Sequence, residues 1–325
     1  MNRDRLTHAN MMKSGHVMIR FLFARVACFV SLVAIGHVLC AETVGGGPST
    51  VRDHFWIWAH IERAYDNSWG LPRNGRITPV EGAYYLGVPN IIFIRYEGKP
   101  APPFEQYAVP FRPLKRVYWS IVGGGGTTSD EEREQVFKLA ANMPNMVGMF
   151  MDDFFQFSTD AEPQAPAGKD SEAPAALTLD QLRKVREKLV VNGRRLDLAV
   201  TLYTTALDKP GIRSHLEHCD VISLWTWEAK DLPQLEENFT RYRAMFPNKR
   251  TLLGCYMWDF GASKPMPIDL MKKQCEFGLR MLREGQIEGL IFLASNICDL
   301  DLETVEWTRR WIAEVGDQPL RAMDN

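Results

Sequence analysis

The chain has 325 residues, 38 basic and 40 acidic, for a formal charge of -2, with 46% hydrophobic and 24% charged residues. This is ordinary for a soluble globular protein. It gives no basic surplus that would call for a nucleic-acid partner.

The first 41 residues read as a secretory signal rather than as fold. Arg20 and Arg25 precede an apolar stretch from Val26 to Leu39, followed by Cys40-Ala41-Glu42. A basic region, an apolar core and small residues at the cut form the export pattern. Met18 is an alternative start, since residues 1–17 add nothing to the signal. The apolar core is short for a membrane span, and an uncut N-terminal anchor is the competing reading. The expected product is a secreted or periplasmic protein of residues 42–325, without stable membrane insertion. It retains Cys219, Cys255, Cys275 and Cys298, whose spacing fits no zinc motif and which read as buried thiols.

Eight strand-like runs alternate with helix-like runs from there on. The first is His54–His60, followed by a polar loop and a helix opened by Thr78-Pro79, an N-cap with proline at the first helical position. The second run is Asn90–Tyr96, and a proline-rich connection from Lys99 to Pro113 is expected to hold a short irregular helix. The third is Arg116–Val122, followed by four glycines at 123–126 that read as a mouth loop. A phosphate cradle is disfavoured there, because Asp130, Glu131 and Glu132 already occupy the positive end of the next helix. That helix opens at Ser129, with Glu132 three residues on, as a capping box.

The fourth run, Asn145–Phe155, reads NMVGMFMDDFF and ends in two adjacent carboxylates. Residues 158–177, rich in proline, alanine and acids, cannot build a core and read as a flexible loop, with a lid as one use for it. A second capping box, Thr178 with Gln181, opens the next helix. The remaining strands are Leu196–Thr205, Asp220–Glu228, Thr251–Asp259 and Glu288–Asn296. Helices are expected over Leu232–Phe246, Ile268–Glu284 and Leu302–Val315. Eight strand–helix units in this length predict a parallel sheet closed into a single (β/α)8 TIM barrel, of the α/β class. No GxGxxG follows the first strand, so no dinucleotide is implied, and no cofactor is expected.

In such a barrel the C-terminal strand ends share one mouth. They would bring together His60, Arg95 with Tyr96, Asp152 with Asp153, Tyr203, Trp225 with Trp227 and Glu228, Trp258 with Asp259, and Asn296. Aromatic rings stack on sugar C–H faces while carboxylates and amides bond hydroxyls, which points to a carbohydrate ligand. Glycoside hydrolysis typically needs two carboxyl groups. Strand alternation sends Asp152 and Asp153 to opposite faces, so the partner acid is sought elsewhere, at Glu228 or Asp259. His60, Arg95, Tyr203, Trp225, Trp227, Trp258 and Asn296 are the candidate substrate contacts.

Each has a structural reading beside it. Trp56, Trp58, Trp119 and Trp225 lie inside strand runs and fit core packing. His60 fits a hydrogen-bonded structural histidine, and Arg95 an ion pair. Glu228 fits the start of a solvated loop with Lys230, and Asp259 fits a turn cap before Phe260-Gly261. A divalent cation held by acids and His60 is a further reading; His215 and His218 lie at the wrong end of the barrel for it.

The stretches GMFMDDFF, LWTWEA, LGCYMWDFG and EGLIFLASNICDL resemble the glycosidase-type TIM barrels, and a group of exported bacterial barrel proteins of that type, over about residues 50–316. The resemblance implies a catalytic acid at the end of strand four. It implies a partner on strand seven, which would be Asp259, or on strand six, which would be Glu228. The DxxDxDxE pattern of the chitinase-like subgroup and the Asn-Glu pair of a retaining subgroup are both missing from strand four. The expected function is an exported glycoside hydrolase acting on a poly- or oligosaccharide. The alternatives are a non-catalytic carbohydrate-binding barrel and a metal-dependent sugar isomerase or lyase. Oligomeric state is not legible.

Overall fold

A computed structural model describes residues 49–157 and 174–320. The expected signal segment and positions 158–173 of the expected flexible loop lie outside the described residues. Eight parallel strands close a barrel: β1 (Phe55–Ala59), β2 (Asn90–Phe93), β3 (Arg116–Val122), β4 (Met146–Met151), β5 (Asp197–Tyr203), β6 (Val221–Trp225), β7 (Arg250–Tyr256) and β8 (Gly289–Leu293). Each pairs with its neighbour in chain order, and β8 closes onto β1 through Phe55–Leu290 to Trp58–Leu293. The protein is a single (β/α)8 barrel. Every residue of β1, β2, β6 and β8 is buried. Strands covered on both faces read as continuous apolar runs, as these do.

The helices are α1 (Pro79–Leu86), α2 (Asp130–Ala141), α3 (Leu179–Glu187), α4 (Ile212–Leu216), α5 (Leu235–Met245), α6 (Ile268–Arg283) and α7 (Glu303–Val315). None among the described residues is long and apolar enough to cross a membrane. Thr78 with Glu81 and Thr178 with Gln181 form both bonds of a capping box. At α2 the expected box is half made. The Glu132 N–H donates to Ser129 Oγ at 3.1 Å, but the Glu132 carboxylate pairs instead with the Arg95 guanidinium. A buried cation is a stronger claim on a carboxylate than one backbone N–H.

The strands are shorter than their apolar runs. β2 ends at Phe93 and β6 at Trp225, because the residues beyond turn away to build the mouth. The proline-rich connection holds one 3-10 turn, Val109–Phe111. The helix expected from Leu232 is a 3-10 segment, Ala229–Gln234, leading into α5, since Pro233 interrupts regular α-helical bonding. A short antiparallel hairpin, Val190–Val191 with Arg194–Arg195, lies outside the barrel sheet and was not foreseen. The four cysteines are free and buried.

The barrel interior is filled by rings packed edge to face. Trp58 meets Phe150 at 5.3 Å and Trp225 at 5.3 Å between centroids. Gly254 on β7 makes room for Trp225: a Cβ there would lie 2.1 Å from the indole ring. Gly254→Ala is therefore expected to cost about 1–3 kcal/mol of stability and to shift the Trp225 near-UV signal. Urea unfolding followed by fluorescence and circular dichroism checks both. An unchanged midpoint would mean that this contact relaxes freely.

Candidate functional site

The strand ends converge on a pocket of about 80 Å³. Its floor includes Trp58, Trp225 and Leu293; its walls carry Asp152, Asp153 and several aromatic rings. The two aspartates follow β4 directly. Asp152 still donates its N–H to Val122 O at 3.0 Å, so it keeps the sheet's register. Asp153 sits at φ 42, in the left-handed region. That bend breaks the strand alternation, so both carboxylates line the pocket rather than opposite faces, contrary to the sequence expectation.

Their surroundings differ. Asp152 is 5% exposed and accepts a hydrogen bond from Thr201 Oγ1 at 3.2 Å. Burial raises its carboxyl well above the usual carboxylate range, and the charge of Asp153 raises it further. Hydrogen bonds from the Asp153 backbone and Thr201 offset only part of this. Asp153 is half-buried and accepts from the Tyr203 hydroxyl at 2.9 Å and from the Gly125 N–H at 2.8 Å. One carboxyl is thus pushed by burial toward its protonated form beside another supplied with hydrogen-bond donors, an arrangement suited to acid catalysis.

The glycine segment 123–126 earns its composition at two points. Gly125 has φ 68, a conformation open to glycine, and it aims its N–H at Asp153. At Gly123 a Cβ would lie 2.6 Å from the Arg95 carbonyl oxygen.

The other candidates fall into two groups. His60, Tyr203, Trp225 and Trp227 line the pocket. His60 has both ring nitrogens engaged, Nδ1 with Ile94 O at 2.8 Å and Nε2 accepting from Trp58 Nε1 at 3.2 Å. Burial pushes its pKa down to about 4, so it stays neutral. Its ring is a wall.

Arg95, Glu228, Trp258, Asp259 and Asn296 do not line the pocket. Arg95 pairs with Glu132 and donates to Gly98 O and Pro100 O. Glu228 pairs with Lys230 at 2.7 Å. Asp259 is 1% exposed, and its Oδ1 accepts from the N–H groups of Ala229 at 3.2 Å and Ala262 at 3.3 Å, joining the loops after β6 and β7. Trp258 donates Nε1–H to Trp69 O at 2.8 Å, and Asn296 donates to Ile61 O at 2.7 Å. The geometry therefore brings together the two strand-four acids and leaves the two partner candidates outside the pocket. Among the described residues no group of three or more His, Cys, Asp or Glu is arranged to hold a metal ion.

Sequence reasoning passed over Tyr65, Trp69, Thr201, Tyr256 and Phe260, all of which line the pocket. Thr201 and Tyr256 carried a usable signal. Thr201 lies two residues before Tyr203, and Tyr256 two after Gly254, on the barrel-facing parity of their strands. Tyr65, Trp69 and Phe260 come from loops and carried none.

No family model and no curated protein sequence matches the chain. Several solved structures are similar to it. One is the active domain 2 of a thermostable chitinase from Pyrococcus furiosus, solved as catalytic-site mutants with chito-oligosaccharides. It is 14% identical with TM-score 0.47, over 76% of this chain and 85% of that one. The spore cortex-lytic enzyme SleL of Bacillus cereus is 10% identical with TM-score 0.48, over 85% and 77%. A xylanase and alpha-amylase inhibitor protein from Scadoxus multiflorus is 13% identical with TM-score 0.46, over 83% and 100%. At these identities the likeness is one of fold.

The raised pKa of Asp152 makes a stability prediction. Between the unfolded carboxyl value of about 3.9 and the raised folded value, the native state binds a proton that the unfolded state has released. Stability therefore falls as pH rises through that window. Asp152→Asn removes this dependence. The variant's stability relative to wild type is expected to grow as pH rises above about 4, as measured by urea unfolding across pH. A difference independent of pH would contradict the assignment.

Proposed function

We propose that this protein is an exported glycoside hydrolase that acts on a poly- or oligosaccharide at the Asp152–Asp153 pocket. The observation that carries the reading is a buried carboxyl, pushed by its surroundings toward the protonated form, next to a second carboxyl that accepts two hydrogen bonds, inside an aromatic-lined pocket. In this mechanism Asp152 gives its proton to the glycosidic oxygen as the bond to the anomeric carbon breaks. The Asp153 carboxylate faces the positive charge that grows on the sugar ring, held in place by Tyr203 and Gly125. Water adds at the anomeric carbon, and the proton it releases restores the acid. Trp227, with Tyr203 and Tyr256 around it, offers the sugar-stacking faces. Export rests on the basic and apolar pattern of residues 20–42, and N-terminal sequencing of the mature protein tests it.

A second reading is a barrel that binds carbohydrate without cleaving it. What favours it is that, among the described residues, both pocket carboxylates come from one strand end and none comes from across the barrel.

Turnover by wild type and variants on a panel of oligosaccharides separates the two. Asp152→Asn is expected to lower kcat/KM by about 10²–10⁴, with ligand affinity retained. The wild-type rate is expected to fall as pH rises through the raised Asp152 pKa, since only the protonated form donates. Glu228→Gln, outside the pocket, is expected to leave kcat within about threefold. Binding without turnover in wild type would establish the second reading. Equal losses in Asp152→Asn and Glu228→Gln would remove the assignment of Asp152 as the acid.

A further inference from the structure

All eight strand ends reach the pocket. Each of the eight strands, or the loop that follows it, contributes at least one lining residue. A cleft that lets a polymer run across a barrel mouth needs a gap on two opposite sides. Here the contacts can be followed around the rim without a break.

From Tyr96, after β2, the rim passes to Tyr65 at 5.9 Å between ring centroids, and from Tyr65 to Phe260 at 5.4 Å. Phe260 meets Trp69 at 5.7 Å, and Trp69 meets Trp227 at 6.1 Å. Trp227 meets Tyr203 at 5.9 Å, and the Tyr203 hydroxyl bonds Asp153 at 2.9 Å. Asp153 is held by the Gly125 N–H, and Gly124 packs so closely on Tyr96 that a Cβ would lie 2.9 Å from its ring. The circle closes there. All these ring separations fall in the range of direct aromatic contact.

The long loop between β1 and α1 supplies Tyr65 and Trp69, and it is fastened where it crosses the mouth. The Trp69 carbonyl accepts from Trp258 Nε1, and Gly70 abuts the Ser263 carbonyl, 2.3 Å from where a Cβ would be. The Arg76 N–H donates to Asp299 Oδ2 at 2.6 Å. The loop is thus tied to the segments after β7 and β8, on one side of the barrel mouth. Below the rim, Trp58 and Trp225 stop the floor with rings packed at 5.3 Å. The pocket volume of about 80 Å³ is small beside the roughly 300–1,000 Å³ of clefts that take drug-sized ligands.

Resting on the carbohydrate reading above, we infer that the site recognises the end of a sugar chain. The ligand class is a single terminal sugar unit entering a blind pocket, so cleavage proceeds from a chain terminus rather than within the chain. The aromatic collar is the device that rejects internal segments.

Calorimetric titration of the mature protein tests this in the Asp152→Asn form, in which turnover is slowed. The probes are linear cello-, malto-, xylo- and chito-oligosaccharides of one to six units, each unmodified, reduced to the alditol at one end, or capped at the other. The inference predicts that affinity levels off within the first two units and falls at least 100-fold when one particular terminus is blocked. It predicts that Trp69→Ala, which opens the collar, brings the blocked chains to within tenfold of the unblocked ones. Affinity that climbs with each unit to six and ignores both blocks would overturn the terminal-unit inference and leave the carbohydrate reading standing. If Trp69→Ala leaves the terminal discrimination intact, the collar is not its source and that part is overturned. If no member of the panel binds either form, the carbohydrate reading fails and the inference falls with it.

Discussion

The site depends on one constraint: a carboxyl group is buried at the end of a barrel strand with another carboxyl as its chain neighbour. Burying a charged carboxylate costs several kcal/mol unless it is paired. Among the described residues no cation faces Asp152; it is met by the Thr201 hydroxyl and the Asp153 backbone. The neutral form is the one that survives in such surroundings, and a neutral carboxyl at ordinary pH is a proton donor. Asp153 bends out of the strand at φ 42, where the Tyr203 hydroxyl and the Gly125 N–H reach it.

The supporting structure serves that arrangement. The glycine segment after β3 stands where side chains would collide with the Arg95 carbonyl or the Tyr96 ring, and where Gly125 takes a φ of 68. Arg95, in turn, is held by Glu132 at the start of α2 and by the carbonyls of Gly98 and Pro100. Its backbone carbonyl accepts from Gly124 at 2.9 Å, so the ion pair outside the pocket helps fix a loop inside it. Asp259 acts in the same manner on the other side, joining two loops through its carboxylate. Charges that do not touch the pocket thus determine where the pocket walls stand.

The barrel was readable because its strands are buried on both faces and therefore appear as apolar runs between caps. Thr78 and Thr178 marked helix starts that the structure keeps. Asp152 and Asp153 stood out because acids at the end of such a run need a reason. Which strand-end residues turn inward was not readable beyond the last regular residue. Asp259 and Trp258 lie past the end of β7, where period-two alternation no longer applies, and they turn toward neighbouring loops. Tyr65, Trp69 and Phe260 reach the pocket by tertiary packing of irregular segments, which leaves no periodic trace in the sequence. Glu132 illustrates the converse: a correct capping position whose side chain was drawn to a buried cation instead.

The most direct measurement is infrared difference spectroscopy of wild type against Asp152→Asn at neutral pH, read in the carboxyl region. If burial holds Asp152 neutral, the difference contains the carbonyl stretch of a protonated carboxylic acid, and that signal bleaches only when the pH is raised well above the ordinary carboxylate range. A difference containing only the bands of an ionised carboxylate at neutral pH would contradict the account, because Asp152 would then have no proton to give.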